Sequence, residues 1–126
     1  MSEEDKQLLL QDLCARLPYG VKVEAVPYTD PQLLCSIDPI RQEYRLDFDM
    51  TKSIFHRNWV GEEVSNIKPY LRRLSSMTED ERRESMLRYG YREIDYYNEH
   101  HFDYRHLIDR GLAIEVTEEN NPYKSN

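Results

Sequence analysis

His100, His101, Asp103 and His106 lie within one short stretch, with Asp95 and Glu99 just upstream. Imidazole and carboxylate groups are ligands for zinc and other transition metals, and His101 and His106 could approach each other across a helix cap. The spacing, however, matches no known metal-binding helix motif. Adjacent histidines on a helix point about 100° apart, so at most one of His100 and His101 can share a face with a given ligand. The plainer expectation is that Asp103 and one histidine cap helix ends and brace the C-terminal segment. No cofactor and no metal are therefore expected, and a metal-dependent enzyme centred on His101, Asp103 and His106 ranks third among the readings of this chain.

A second set is basic: Lys68, Arg72, Arg73, Arg82 and Arg83 beside Tyr70. Small barrels use aromatics and arginines to hold single strands, so Tyr70, Arg72 and Arg73 carry the alternative reading, a nucleic-acid-binding barrel. Glu79, Asp80, Glu81 and Glu84 are interleaved with these arginines and would pair with them on a helix surface. The formal charge of −7 also disfavours a general attraction to phosphate backbones, which rests on releasing counterions to a basic surface. Acids outnumber bases most clearly in the last third, which admits a DNA-mimicking surface but supplies no motif for one. For catalysis the glycines form no GxGxxG, GxSxG or GxxxxGK pattern. Asp47 and Asp49 share one predicted strand face opposite Phe48, where a solvated outer face is the ordinary explanation.

Ten tyrosines stand against three phenylalanines and one tryptophan. Tyrosine joins a large apolar face to a polar tip and suits contact surfaces, although it equally lines the half-buried shell of a small domain. An acidic, tyrosine-rich chain without a catalytic signature reads first as a non-enzymatic protein-binding module of unknown target. Its candidate partner-binding residues are Trp59, Tyr70, Arg72, Arg73, Tyr96, Tyr97 and Tyr104. Oligomeric state is left open by the sequence.

These residues must be positioned by elements that periodicity outlines. Ser2 can cap a helix through Arg16, with Leu9, Leu10, Leu13, Cys14 and Leu17 as its apolar stripe and Pro18 as its end. Val21–Val26 alternates as a strand; Leu33, Cys35 and Ile37 follow a turn and complete a hairpin; Tyr44, Leu46 and Phe48 give the clearest strand. Residues 54–60 suggest a fourth strand bearing Trp59. Pro69 should stop a helical turn that carries Val64 and Ile67 inward, and residues 70–75 should then form an edge strand or an extended connector. Thr78-Glu79-Asp80-Glu81 matches a capping box, so a helix starts at Glu79. Residues 93–101 suggest another helix with Ile94, Tyr97 and His101 on one face. Asp103 should cap a third helical piece over 104–110, which Gly111 stops.

The expected fold class is α+β: an N-terminal helix, a small antiparallel SH3-like barrel or bent sheet, and C-terminal helices. A single domain is expected over 1–116, with a frayed polar tail over 117–126. Cys14 and Cys35 lack CxxC spacing and read as small buried hydrophobes in a reducing compartment. No apolar run approaches the ~20 residues that span a bilayer, and the acidic MSEEDKQ opening is unlike a signal peptide, so the expected location is cytoplasmic, without membrane contact.

Three stretches, KQLLLQDLCARLPYGVKV, IKPYLRRLSSMTEDE and YNEHHFDYRHLIDRGLAIEV, resemble a family of small uncharacterised proteins of Bacteroides-type bacteria and their phages. Together they cover about half the chain. The resemblance implies a bacterial cytoplasmic or phage-encoded setting and a single small domain, with no catalytic residues to carry over. Residues 26–63 lie in the part where such proteins vary most.

Overall fold

The computed structural model describes residues 2–25, 28–47, 51–57, 64–88 and 92–124, with the side chains of 56, 57, 64–66 and 88 outside that description. Helix α1 (Glu3–Arg16) has both ends written into its sequence. Ser2 Oγ accepts from the Asp5 amide at 3.0 Å, acids fill the first turn, and Arg16 stands in the last, which suits the helix dipole. Leu9, Leu10 and Leu13 are buried as the stripe requires. Pro18 falls in a 3-10 turn, and Gly20 closes it at φ 72°, a left-handed conformation that a side chain would strain.

The strands are β1 (Lys22–Glu24), β2 (Gln32–Asp38), β3 (Glu43–Leu46), β4 (Thr51–Ser53), β5 (Phe55–Arg57), β6 (Val64–Asn66), β7 (Lys68–Arg73), β8 (Phe102–Asp103) and β9 (Ile114–Glu115). The helices α2 (Glu79–Arg88) and α3 (Glu93–Glu99) lie between β7 and β8. The sheet runs β4-β3-β2-β1-β7-β8, with β9 also on β7, while β5 and β6 form a separate ribbon. The fold is α+β, but the sheet is mixed rather than antiparallel throughout, because β8 and β9 both run parallel to β7. No pairing among the described residues joins β4 to β8, so an SH3-like closure is not seen there.

Three local expectations are corrected by this pairing. Residues 64–66 form a strand, not a helical turn, because their backbone groups pair with 55–57; Ile67 is fully buried nonetheless. Strand β7 is interior, not an edge. Pro69 is tolerated in it because its register partner is Val23 on β1 alone, while the parallel neighbours begin only at Tyr70. In β2, Leu34 opposes Leu46 and Ser36 opposes Arg45, so Cys35 is the extra residue of a bulge. The bulge shifts the inward parity from Leu34 to Ile37, and Cys35 is exposed while Cys14 is half-buried; both are free thiols.

Of the fourth strand foreseen over 54–60, residues 55–57 form β5, directly after fully buried Ile54, and 58–60 lie outside the described residues. Phe48, Asp49 and Trp59 lie outside the described residues. A core of Leu9, Leu13, Val21, Val23, Leu34, Leu46, Ile54, Ile67, Leu71 and Leu107 joins α1 to the sheet, each such side chain worth roughly 1.5–3 kcal/mol on burial. No helix among the described residues is long and apolar enough to cross a membrane.

Candidate functional site

The arginines of β7 are paired within the molecule. Arg72 makes a bidentate pair with Glu81 at 2.6 and 2.8 Å, bonds Ser76, and lies over the Phe102 ring at 4.3 Å. That guanidinium holds the Glu81 carboxyl down to about 2, with the Thr78 backbone helping. The Thr78 amide donates to Glu81 Oε1 at 3.0 Å and the Glu81 amide to Thr78 Oγ1 at 3.1 Å, which is the predicted capping box. Arg73 bridges Asp109 at 2.8 Å and Glu115 at 3.0 Å. Of the trio proposed for nucleic acid, Tyr70 is only 8 % exposed and both arginines are engaged by carboxylates, while the Arg73 side chain keeps 40 % of its surface open.

The tyrosines are placed unequally. Tyr96 is fully buried and stacks on Phe102; neither it nor Tyr70 offers a contact face in this conformation. Tyr97 and Tyr104 are half-buried, with ring centroids 5.8 Å apart. Tyr104 donates to Asn98 Oδ1 at 2.9 Å and lies between the guanidiniums of Arg16 and Arg105, at 5.2 and 4.6 Å from its centroid. Burial raises the Tyr97 phenol, as does the nearby Glu93.

The histidine cluster is dispersed. Helix α3 ends at Glu99, so His101 is not on its face; it turns through φ 62°, is buried, and stacks on Tyr123 at 3.7 Å. The face foreseen with Ile94, Tyr97 and His101 together is therefore corrected: Ile94 is exposed and Tyr97 half-buried, and the buried residues of α3 are Tyr96 and Asn98. Burial, then the positive charge of Arg16, holds the His101 imidazole down to about 3. Asp103 caps as expected, accepting from Leu107 and Ile108 amides at 2.8 and 2.9 Å, but what it caps is a turn rather than a helix. Gly111, at φ 74°, closes that turn. A cavity of about 240 Å³ opens beside His106, Asp103, Asp109 and Arg73. Among the described residues, no three His, Cys, Asp or Glu side chains are placed to hold a metal together.

Two features were missed from the sequence. The first is a buried ionic group: Asp12 pairs with Arg16 at 2.8 Å and with Arg105 at 2.8 Å, and Arg16 also donates to the Phe102 carbonyl. Asp12 and Arg16 are fully buried; their spacing from Leu9 and Leu13, positions 9, 12, 13 and 16, was the available signal. The second is an outward apolar face. Helix α2 turns Glu81 and Ser85 toward the body and leaves Met86 69 % and Leu87 79 % exposed, with Ile94 of α3 at 56 %. The signal here was that Met86 and Leu87 have no apolar companion one turn earlier, where Arg82 and Arg83 stand. Compared with known proteins, the chain matches no family model, no curated protein and no solved structure.

Proposed function

We propose that this chain is a non-enzymatic protein-binding module whose contact surface is the α2–α3 pair, in the bacterial or phage setting that its resemblance implies. One observation carries the reading: Met86, Leu87 and Ile94 are held outward while the polar side of α2 is clamped to the body through Glu81. The buried centre of a protein interface is more apolar than the rest of the surface and enriched in Met and aromatic residues, and a few residues there carry most of the binding energy. Half-buried Tyr97, one turn beyond Ile94 on α3, is the aromatic assigned to join them. The pairing of Arg72 and Arg73 with Glu81, Asp109 and Glu115 favours protein over nucleic acid as the partner.

The test is affinity capture from bacterial lysate with the full chain and with Met86→Asp/Leu87→Asp, each with and without nuclease. A stoichiometric protein that survives nuclease and is lost with the double variant is the expected result. Capture that disappears with nuclease, or that the double variant leaves unchanged, would overturn the reading.

A further inference from the structure

Strands β1 and β7 part company at a defined place, and a side chain from the far end of the chain sits in the fork. Their antiparallel register pairs Glu24 with Lys68 and Val23 with Pro69; its continuation would set Lys22 against Tyr70. Between those two residues stands the phenol oxygen of Tyr123. It accepts from the Lys22 amide at 3.0 Å, lies 2.7 Å from the Tyr70 carbonyl oxygen to which it donates, and approaches the Lys22 carbonyl at 3.3 Å. One hydroxyl thus bridges the Lys22 amide and the Tyr70 carbonyl, which strand pairing would otherwise join directly, and touches the Lys22 carbonyl as well. The ring stacks on His101 at 3.7 Å, nearly parallel, and the ammonium of Lys22 donates to the Pro122 carbonyl at 3.0 Å.

The segment that delivers Tyr123 is otherwise lightly held. Thr117 to Asn120 are exposed and bond one another: Asn120 Oδ1 accepts from the Thr117 amide and hydroxyl. Over 117–124 the frayed tail foreseen from sequence is instead a strap, tied down at Tyr123 and at the Pro122 carbonyl. Near the Tyr123 anchor two buried polar atoms, Nδ1 of His101 and Nη1 of Arg16, have no hydrogen-bond partner among the described residues. A site shaped for a phenol, bounded by backbone acceptors and a donor and floored by an imidazole, is filled through few residues, and such contacts open locally at less than the global unfolding free energy.

We propose that this fork is a peptide-binding site for a tyrosine-bearing extended segment, occupied in cis by the chain's own residues 117–124, which act as a releasable strap over His101. The site is separate from the α2–α3 surface. A tethered segment competes at an effective concentration on the order of millimolar, so an added peptide reaches the fork readily only when the strap lacks its tyrosine.

The probe is the synthetic peptide TEENNPYK, titrated onto the full-length chain and onto full-length Tyr123→Ala, with binding read from amide and imidazole NMR signals. The variant is expected to bind at least ~10-fold more tightly than the wild type, and a peptide carrying Phe at the tyrosine position at least ~10-fold more weakly, because the hydroxyl supplies the hydrogen bonds. Shifts should concentrate on Lys22, Tyr70 and His101. A folded variant that does not bind the peptide, or that binds the Phe peptide equally well, overturns the proposal. Should Tyr123→Ala fail to fold, hydrogen exchange on the wild type decides. Exchange of the Lys22 amide well ahead of the Leu34 amide, which donates to Val21 within the sheet at 3.1 Å, supports a releasable strap. Exchange of both only through global unfolding overturns it.

Discussion

His101 shows how one residue's surroundings set a property of the whole chain. Its ring is covered by Tyr123 and faces the positive charges of Arg16 and Arg72, with His100 adjacent, so the native state holds it neutral down to about pH 3. In the unfolded chain the same group takes its proton near 6.5. Between those values the unfolded state binds more protons, so the stabilising term is fully present above pH 6.5 and is lost as pH falls toward 3. The expected slope approaches about 1.4 kcal/mol per pH unit for this one proton. His101→Asn, which accepts the left-handed backbone, should flatten the denaturation midpoint between pH 6.5 and 4.5; an unchanged slope would show that another group carries it. The buried Asp12 is a different case. It lies between Arg16 and Arg105 and lets α1 carry a fully buried arginine into the Phe102–Tyr104 region. That i, i+4 pair was visible in the sequence, on the same face as Leu9 and Leu13. The position of His101 was not, because the contact with Tyr123 depends on chain brought from 22 residues away.

Helix α2 separates what an element's sequence fixes from what its packing decides. Its start follows from local chemistry, since Thr78 and Glu81 satisfy each other's amides without tertiary help. Its orientation does not. The carboxylate that completes the cap also grips Arg72 of β7, and this turns the polar side of the helix inward. Glu81→Gln keeps an acceptor for the Thr78 amide but removes the charge that pairs Arg72. Amides of α2 are therefore expected to exchange at least ~10-fold faster at pH 7, with those of β1 and β2 little changed. Because the Glu81 carboxyl is lowered from 4.5 to about 2, its contribution is complete above pH 4.5 and fades as pH falls through 2, where variant and wild type should converge. Equal exchange at pH 7 would mean that Arg72 does not hold the helix. Other elements divide the same way. Alternation revealed β1, β2 and β3, yet the bulge at Cys35 reversed which residues of β2 face inward, and nothing in a run of Leu-Leu-Cys-Ser-Ile marks the extra residue.

At the scale of the molecule the organising element is β7, which takes β1 and then β8 along one edge and β9 on the other. The Leu71 carbonyl accepts from the Val116 amide, while the oppositely directed Arg72 amide donates to the His101 carbonyl. Alternation over 70–75 read as an edge strand or an extended connector; the parallel partners that begin at Tyr70 are contributed by residues 102–115 and leave no local trace in the sequence. The α+β class, by contrast, follows from periodicity alone. This arrangement separates variants that unfold the chain from variants that disable its surface. Leu71 is fully buried at the crossing of three strands, so Leu71→Ala should cost about 2–5 kcal/mol in chemical denaturation and weaken β1, β7 and β9 together. Met86→Asp/Leu87→Asp touches side chains already in water and should leave stability within about 1 kcal/mol of wild type. If the double variant loses its captured partner while keeping its denaturation midpoint, the outward face of α2 is a contact surface; if it loses both, Met86 and Leu87 belong to the folding unit and the docking role falls.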